Sequence, residues 1–455
     1  MTTENGILFL GTGSSSSTPK LSHIFKNSRI LSSQGIKIEK TSKDISKEDN
    51  ELVDGFVEGL VSKGLETIDQ LNDLFLKKKY PNYNELKCYT CFDALNNNSK
   101  NKRNNISVLL KSNGSSVLID VGKTFRDSLL HNRDKIDFCE ISIDSVLITH
   151  SHTDALNGID DLRDLQEYKR VSHGDIFYYT SDKPIDVYVN EVSYERLKNG
   201  YDYLVKKRYE NIFYSKIAAL NVLVIKDKIY NKFTLEDEYF NQTQEKSNVV
   251  STDEDNICKK NINSGNCTNN GNNINNIVNN TSSDNNNTNE TKNQNDICND
   301  EKKKIINIHT YDKRDEHGFI YTQFDKNKKI RFIPFLHGKN YVCLGYIVGN
   351  NDKLVYISDC SYIPVYVFNY IKKMGTVDVL IIDALYYKQK HYSHFSLYES
   401  IKMALIIKPK KVYFVGMSCD VEHNITNLYL QKLSKQYPNI SFTLAHDGLF
   451  VPFNF

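Results

Sequence analysis

The segment 148–154, Ile-Thr-His-Ser-His-Thr-Asp, places His150, His152 and Asp154 at alternate positions directly after an apolar run. In a turn, two imidazoles separated by one residue can converge on one metal ion, while the carboxylate points to a second ion or to a bound water. Taken alone, the segment is equally compatible with an exposed polar loop. The spacing predicts a divalent metal site, with zinc as the first candidate and manganese as the alternative.

Other residues able to ligate metals or transfer protons occur later in the chain. They are His337, Asp359, His394, Cys419 and His423. Each of them alone would be interpreted as a structural residue. Most of them lie just past a predicted strand, and this shared position favours one common cleft, because α/β domains usually hold their sites at strand ends.

Cys88 and Cys91 form a Cys-Tyr-Thr-Cys motif, in which two thiols on one turn can supply half of a structural zinc site. Two unpaired thiols are an equally valid interpretation. The chain has 9 cysteines. Because this number is odd and the residues are scattered, a reducing compartment is favoured over a disulfide framework, and we expect a cytoplasmic protein.

Predicted strands and helices alternate along most of the chain and must position these side chains. Runs rich in Val, Ile and Leu predict strands at 7–10, 107–111, 116–120, 145–149, 187–190, 331–334, 341–348, 353–358, 377–383 and 411–415. Apolar residues at three- and four-residue spacing predict helices at 160–168, 363–374 and 397–407. This order predicts an α/β layered domain.

Two segments interrupt the pattern. Residues 20–87 contain an amphipathic stretch from Leu52 to Leu76, which predicts a helical insertion packed on the main domain rather than a partner-binding helix. Residues 241–304 are dominated by Asn and offer too little apolar surface to offset the entropy of ordering, so we predict a disordered insertion. The chain 1–455 is therefore expected to be a single domain with two insertions.

Composition and net charge exclude few classes of function. Hydrophobic residues make up 39% of the 455 residues, below the roughly 45–50% of compact proteins, which agrees with a segment outside the core. The net charge of +2 neither indicates nor excludes nucleic acid. The apolar run Ile7–Leu10 is too short for a secretory signal, and no longer run could span a bilayer, so no membrane partner is expected.

The chain resembles the metallo-β-lactamase superfamily, in the branch of phosphoribosyl cyclic phosphodiesterases and tRNase Z-like hydrolases. The matching motifs, in the family's order, are Leu10–Ser14, Cys88–Cys91, Asn105–Leu109, Leu118–Gly122, the His150 loop with Gly158–Arg163, His337–Gly338, Ser358–Asp359, Ser393–His394 and Asp447–Leu449. The resemblance covers nearly the whole chain except the two insertions. It implies an αββα four-layer sandwich with one or two metal ions in the active site.

The resemblance also implies a ligand set. By analogy with the family, His150, His152 and His337 would hold the first metal ion. Asp154 and Asp359 would serve the second, with Asp359 bridging the two ions.

The expected reaction follows from the same resemblance. A metal-activated hydroxide would attack the substrate, and His394 would protonate the leaving alkoxide. Asp154 and His394 are thus the expected catalytic residues, whereas Asp120 is expected to orient the site without binding metal.

Two departures from the family pattern affect the ligands. Ala155 replaces a common histidine ligand, and Asp160 or Asp161 could compensate, although helix capping by Asp160 is the more ordinary role. Near the C-terminus, Cys419 or His423 stands in for the last histidine ligand.

Cys419 and His423 also affect the prediction of a structural zinc site. By resemblance, a histidine near the C-terminus completes the cysteine site. If His423 joins Cys88 and Cys91 there, Cys419 remains for the active site. Leu86 stands where a third cysteine is expected, and His446 stands where a tyrosine is common.

The resulting hypothesis is a metal-dependent phosphodiesterase that acts on small cyclic or nucleotide-like phosphodiesters. A tRNase Z-like RNA endonuclease is the alternative, and nucleic acid is the less favoured partner because no basic arm is evident. A degenerate scaffold that binds metal without catalysis is a second alternative. A homodimer is left open.

Overall fold

The computed structural model describes residues 5–25, 51, 68–79, 88–136 except 97, 142–173, 176–205, 216–232 and 307–455 except 326. All of them belong to one compact unit. The segment predicted to be disordered, 241–304, and most of the helical insertion predicted at 20–87 (residues 26–50, 52–67 and 80–87) lie outside the described residues. Both expectations therefore stay predictions.

One mixed sheet has eight strands in the order β17-β1-β2-β3-β4-β7-β8-β9. Its strands are β1 (Gly6–Gly11), β2 (Ser107–Ser112), β3 (Ser115–Ile119), β4 (Ser145–Leu147), β7 (Ile185–Asn190), β8 (Leu220–Ile225), β9 (Asn307–Thr310) and β17 (Phe450–Pro452). From β3 to β9 the neighbouring strands are parallel, and the pairs on the β1 side are antiparallel.

The second mixed sheet has seven strands in sequence order, β10 to β16. They are β10 (Tyr321–Phe324), β11 (Lys328–Leu336), β12 (Val342–Val348), β13 (Leu354–Ile357), β14 (Val379–Asp383), β15 (Lys411–Val415) and β16 (Ser441–Leu444). Strand β14 reads Val-Leu-Ile-Ile-Asp, is buried throughout and runs parallel to both neighbours. Such a continuous apolar run is typical of a parallel strand that is covered on both faces.

A separate two-stranded hairpin consists of β5 (Lys169–His173) and β6 (Ile176–Thr180). The α-helices with defined bounds are α1 (Ile68–Lys79), α2 (Tyr89–Asp93), α3 (Phe125–His131), α4 (Thr153–Leu156), α5 (Glu191–Gly200), α6 (Asp202–Val205), α7 (Val365–Lys373), α8 (Leu397–Ile407) and α9 (His423–Gln436). Short 3-10 helices span Ile159–Leu165 and Lys228–Tyr230. Within the described ranges, no helix is long and apolar enough to cross a membrane.

Alternation along β1 shows how the layers are built. Ile7 and Phe9 belong to the core that joins the two sheets, whereas Leu8 and Leu10 belong to the core between the first sheet and its outer helices. Successive side chains of a strand point to opposite faces, so both faces of this sheet are covered. Helices α3, α5 and α6 pack on the first sheet, and α7, α8 and α9 pack on the second. The predicted αββα four-layer sandwich is confirmed.

Several elements differ from the sequence prediction. The helix expected at 160–168 is a 3-10 helix, Ile159–Leu165, and the next residues turn into the unpredicted hairpin. Helix α1 overlaps the amphipathic stretch Leu52–Leu76 and contacts α9, with Phe75 and Leu76 buried in the core. The helix at 397–407 was predicted with the observed bounds, and its Ser396 and Glu399 form a capping box.

Candidate active site and metal centres

His150 follows β4, and a chain of hydrogen bonds that begins at Asp120 orients its ring. Asp120, which comes directly after β3, accepts hydrogen bonds from the Thr149 N–H (2.8 Å) and from the Thr149 hydroxyl (2.7 Å). Because that hydroxyl donates to Asp120, it accepts from Nδ1 of His150 at 2.8 Å. Nε2 of His150 is buried and has no hydrogen-bond partner among the described residues. In a metal-binding histidine, one ring nitrogen usually forms a hydrogen bond that orients the ring, and the other nitrogen is left free to bind the metal.

The loop that carries these residues is fixed by close backbone contact with segment 121–123. Val121 donates to the Ala155 carbonyl (2.7 Å), and Lys123 donates to the Thr153 carbonyl (3.0 Å). A Cβ atom at Gly122 would overlap the Asp154 carbonyl oxygen. Only glycine permits this approach of the two backbones, which explains the glycine at position 122.

Three imidazoles meet in front of this loop. Ring centroids are 4.7 Å apart for His150 and His152, 5.3 Å for His150 and His337, and 5.0 Å for His152 and His337. One nitrogen of each ring lies within 4.8 Å of the other two. Nδ1 of His337 donates to the Ser393 carbonyl at 2.7 Å, so Nε2 of His337 carries the free lone pair. Three converging lone pairs match the imidazole set of a zinc site.

The electrostatics of the three rings favour their neutral, ligating forms. Burial and the neighbouring imidazoles hold the pKa of His150 well below its usual value. Burial, reinforced by His394, lowers the pKa of His337 to about 3. Burial also lowers the pKa of His152. A metal ion therefore does not have to displace protons from these rings near neutral pH.

Two carboxylates lie beside the imidazoles. Asp154 and Asp359 form a candidate ligand group with His150, with one atom of each residue within 4.8 Å of the others. Both carboxylates are buried. Burial raises the pKa of Asp359 well above its usual value, so a nearby cation would stabilise its ionised form. The donor set therefore fits an ion held by three imidazoles, with carboxylate oxygens beside it.

His394 lies at the edge of this set and rests on a second carboxylate. Its Nδ1 donates to Oδ2 of Asp383 at 2.8 Å, and the same oxygen accepts from the Cys360 N–H at 3.0 Å. The centroid of the His394 ring is 4.7 Å from that of His337. Burial lowers the pKa of His394, but the charge and hydrogen bond of Asp383 outweigh it and raise the pKa to about 9. The imidazole can therefore carry a proton next to the metal ligands.

Two protein-family models match the chain on either side of its middle. The model of the Beta-lactamase superfamily domain matches residues 286–417, and the model of the anti-Pycsar protein Apyc1 matches residues 94–213. The two ranges contain the six residues of the site: His150, His152, Asp154, His337, Asp359 and His394. The first match places residues 286–417 in the metallo-β-lactamase superfamily. This membership and the His/Asp groups support a metal-dependent hydrolase.

Solved structures with low sequence identity resemble the chain. A diphosphatase of the PhnP family is 18% identical, with a TM-score of 0.48, over 99% of this chain and 97% of that chain. The short form of human tRNase Z is 14% identical, with a TM-score of 0.41, over 78% and 94%. Zinc-bound PqqB from Methylobacterium extorquens is 9% identical, with a TM-score of 0.47, over 98% and 99%. None of the curated proteins matches the chain significantly.

Ala155 leaves a gap in the ligand set that the structure does not fill from the expected neighbours. Asp160 pairs with Arg163 at 3.0 Å, and Asp161 lies 3.6 Å from Arg126. Neither carboxylate belongs to a candidate metal group of the described residues. The cap position of the 3-10 helix is Gly158, so Asp160 does not cap it either. The second ion of this superfamily site would depend on Asp154 and Asp359.

A second candidate metal group lies apart from the active site. It consists of His23, Cys88, Cys91 and Cys419. Nδ1 of His23 is 3.4 Å from the Cys91 sulfur and 3.5 Å from the Cys419 sulfur. The backbone N–H of Lys20 donates to the Cys91 sulfur at 3.3 Å. Three thiols and one imidazole within 4.8 Å of one another match a Cys3His zinc site.

This arrangement differs from the sequence expectation in two ways. Cys419 lies in the turn after β15 that faces α2, with the thiols of Cys88 and Cys91, and not with the active-site imidazoles. His423 begins α9 and turns to the other side, where its N–H donates to Asn101 (2.8 Å) and its ring is 5.7 Å from that of His446. His423 belongs to neither candidate metal group of the described residues.

Three residues of the site were not predicted. Asp383 ends an apolar strand, which is the same signal that identified Asp359. Tyr341 lies between two strands and contacts three of the imidazole rings. His23 has no spacing signal, because it is 68 residues from Cys91 and 396 residues from Cys419.

Proposed function

We propose that this protein is a metal-dependent phosphodiesterase that acts on small cyclic or nucleotide-like phosphodiesters. The observation that carries the proposal is the pair formed by His394 and Asp383, with Nδ1 2.8 Å from Oδ2, beside the metal ligand His337. An alkoxide leaves a phosphodiester only with difficulty unless it receives a proton. A protonated imidazole next to the metal ligands can supply it.

The chain's own residues have separate tasks in this reaction. His150, His152 and His337 would hold the first ion, and Asp154 and Asp359 reach the space beside it. Bound divalent cations supply Lewis acidity that activates water and neutralises charge on phosphoryl oxygens. His394 holds the proton at the leaving-group side. The buried carboxylate of Asp383 fixes the tautomer and orientation of that ring.

We further propose that zinc occupies the group of His23, Cys88, Cys91 and Cys419 as a structural ion. Three thiolates and one imidazole form a closed tetrahedral set that leaves no position for substrate. The four residues come from the N-terminal segment, from α2 with its preceding residue and from the turn after β15. An ion there would hold these segments together. Because such thiols must stay reduced, a cytoplasmic location suits the protein.

Turnover and metal content test the proposal together. The purified chain is supplied with manganese or zinc and assayed with bis-p-nitrophenyl phosphate, cyclic nucleotides and a precursor tRNA. We expect turnover of the small diesters, a loss of turnover in His152→Ala, and wild-type turnover in the control His317→Ala, which removes an exposed histidine. Wild-type activity in His152→Ala would contradict the mechanism. Cleavage of precursor tRNA alone would favour the RNA endonuclease instead.

A further inference from the structure

The group of His23, Cys88, Cys91 and Cys419 contains two thiols that are placed to form a disulfide with each other. Cys88 is the residue that precedes α2 and caps it, and Cys91 is the third residue of that helix. The side chain of a capping residue normally points toward the third residue of its helix. The two sulfurs accordingly lie within 4.8 Å of each other, and both thiols are free.

The three thiols of the group differ in exposure. Cys88 is partly exposed, whereas Cys91 and Cys419 are buried. Zinc keeps the thiols that coordinate it deprotonated, and the thiolate is the form of cysteine that a peroxide oxidises. A peroxide therefore reaches Cys88 first, with the Cys91 thiolate next to it.

The turn that carries Cys419 is hydrogen-bonded to the segment of the general acid. The N–H of Ser418 donates to the Leu385 carbonyl at 3.0 Å. The N–H of Leu385 in turn donates at 2.9 Å to the carbonyl of Phe395, the residue after His394. Two hydrogen bonds thus connect the thiol group with the backbone beside the general acid.

The start of the same turn packs against the carboxylate that orients the general acid. Gly416 has a φ of 78°, and a Cβ atom there would overlap Oδ1 of Asp383. The other oxygen of Asp383 accepts the hydrogen bond from His394. A shift of the turn 416–419 would therefore disturb both supports of the His394 ring.

We propose that Cys88 and Cys91 are a site of reversible oxidation, at which a peroxide forms a disulfide, releases the zinc ion and slows the reaction at the active site. The inference rests on the structural zinc and the general acid of the proposed function. The Cys88 thiolate attacks one peroxide oxygen and breaks the O–O bond, and the displaced hydroxide takes up a proton to become water. The Cys91 thiolate then attacks the sulfenic sulfur, forms the S–S bond and expels a second hydroxide, which also becomes water. The two sulfurs lose two electrons in total, and the peroxide is reduced to two molecules of water.

The loss of two thiolates removes half of the ligand set. Only His23 and Cys419 would remain, whereas a structural zinc ion is held by four ligands. Release of the ion breaks the link between α2 and the turn of Cys419, and the support of His394 by Asp383 weakens. The active-site groups of the described residues contain no thiol, so the peroxide leaves their ligands unchanged.

Treatment of the full chain with hydrogen peroxide tests the inference. Mass spectrometry counts the metal ions in the reduced protein, and a chromogenic chelator then reports the zinc released by peroxide relative to an untreated sample. Peptide mapping without reductant identifies the disulfide, and turnover of bis-p-nitrophenyl phosphate is measured in parallel. We expect release of about one zinc ion per chain, a disulfide between Cys88 and Cys91, and about a tenfold loss of kcat. Dithiothreitol with added zinc should restore both the zinc content and kcat.

Two variants make the test specific. Cys88→His keeps a nitrogen ligand for zinc but removes the thiol that begins the reaction, so its zinc content and kcat should resist peroxide. The control replaces Cys258, Cys267 and Cys298, which lie outside the described residues, with serine. This control should respond to peroxide as the wild type does.

Three results would overturn the inference while leaving the proposed function intact. The first is a wild-type protein that keeps its zinc in peroxide. The second is a disulfide between Cys91 and Cys419 in place of the expected one. The third is full release of zinc at unchanged kcat, which would show that the thiol group does not act on His394.

Failure of the proposed function would be recognised separately. If the reduced chain holds no zinc at the thiol group, the structural ion is wrong. A mapped disulfide between Cys88 and Cys91 would then still support the oxidation site, and its absence would contradict it. If the chain cleaves no phosphodiester, the proposed activity is wrong, and zinc release together with peptide mapping decides the inference.

Discussion

The ring of Tyr341 lies flat on the imidazole of His152, with centroids 5.1 Å apart and planes 9° from parallel. Its hydroxyl accepts the Ser151 N–H at 3.0 Å and also bonds the Ser151 side chain, so one tyrosine holds both the ring and the backbone between the two histidines. We expect Tyr341→Ala to weaken metal binding about 10- to 100-fold, as is usual for residues that orient ligands. Competition with a chelating dye measures the affinity.

The conservative variant separates stacking from hydrogen bonding. Tyr341→Phe keeps the stacked ring and should lose much less affinity than Tyr341→Ala. Tyr398→Ala is the control, because it removes a half-buried tyrosine on α8 whose ring contacts Lys402. Equal metal affinity in Tyr341→Ala and wild type would show that the loop holds His152 without the ring.

The pair of His394 and Asp383 gives the second prediction. His394→Ala should lower kcat by about 10²- to 10⁴-fold, the usual contribution of a general acid. Asp383→Asn should lower kcat by about 10- to 100-fold, because an amide does not fix the imidazole as a carboxylate does. Both values come from steady-state assays with metal content measured in parallel.

The losses of kcat in His394→Ala and Asp383→Asn should not be additive. When two residues act as one unit, the double variant is about as impaired as the worse single variant. The buried Asp383 lies against Gly416, where an added Cβ would overlap Oδ1 of Asp383, so Gly416→Ala should reproduce part of the Asp383 effect. If Asp383→Asn keeps the wild-type kcat, Asp383 is not the carboxylate that orients His394. That role would then belong to Asp359, whose Oδ1 lies 3.8 Å from Nδ1 of His394.

The thiol group gives the third prediction. Cys91→Ser and His23→Ala should each reduce bound zinc by about one ion per chain and lower the melting temperature, because metal binding contributes directly to folding. Mass spectrometry of the native protein counts the ions, and calorimetry measures the melting temperature.

Two further variants make this prediction specific. His423→Ala should leave the zinc count unchanged, since His423 belongs to no candidate metal group of the described residues. Cys343→Ala removes a buried thiol outside the group and serves as the stability control. A loss of zinc in His423→Ala but not in His23→Ala would restore the ligand set that the sequence favoured.

The sequence allowed the active site to be predicted better than the thiol site, and chain geometry explains the difference. His150, His337 and Asp359 follow apolar strands, and the carboxyl ends of those strands meet at one edge of the sandwich. Local pattern was therefore enough to group them. His23 and Cys419 come together only through the tertiary fold, from positions 396 residues apart. No local pattern can indicate such a pairing.

The helices and strands show the same difference between features with a local sequence signal and features without one. Strand β14 was predicted because its apolar run is continuous, and α8 because its apolar residues recur at three- and four-residue spacing. The hairpin β5–β6 was missed because it pairs Lys169 with Thr180 and Arg170 with Tyr179, with few of the aliphatic residues that signal a strand. It belongs to neither large sheet, so no core face imposes an apolar alternation on it.

Asp447 gives a prediction about stability and pH. Burial raises the pKa of its carboxyl to about 7, although hydrogen bonds from the Asn104 N–H and the Thr12 hydroxyl and the charge of Arg103 oppose the shift. A folded-state pKa above the unfolded value near 3.8 means that the folded chain binds the extra proton. The contribution to the free energy of unfolding is therefore fully present below pH 4 and is lost as the pH rises through about 7.

Asp447→Asn mimics the protonated carboxyl, because its carbonyl can accept from Asn104 while its NH2 donates to the Thr12 oxygen. The urea midpoint of this variant should rise relative to wild type between pH 5 and pH 8, with both proteins saturated with metal. Asp164→Asn removes an exposed carboxylate and should show no such trend. If the urea midpoints of Asp447→Asn and wild type differ by the same amount over this pH range, Asp447 keeps one protonation state throughout. The buried carboxyl would then not limit stability near neutral pH.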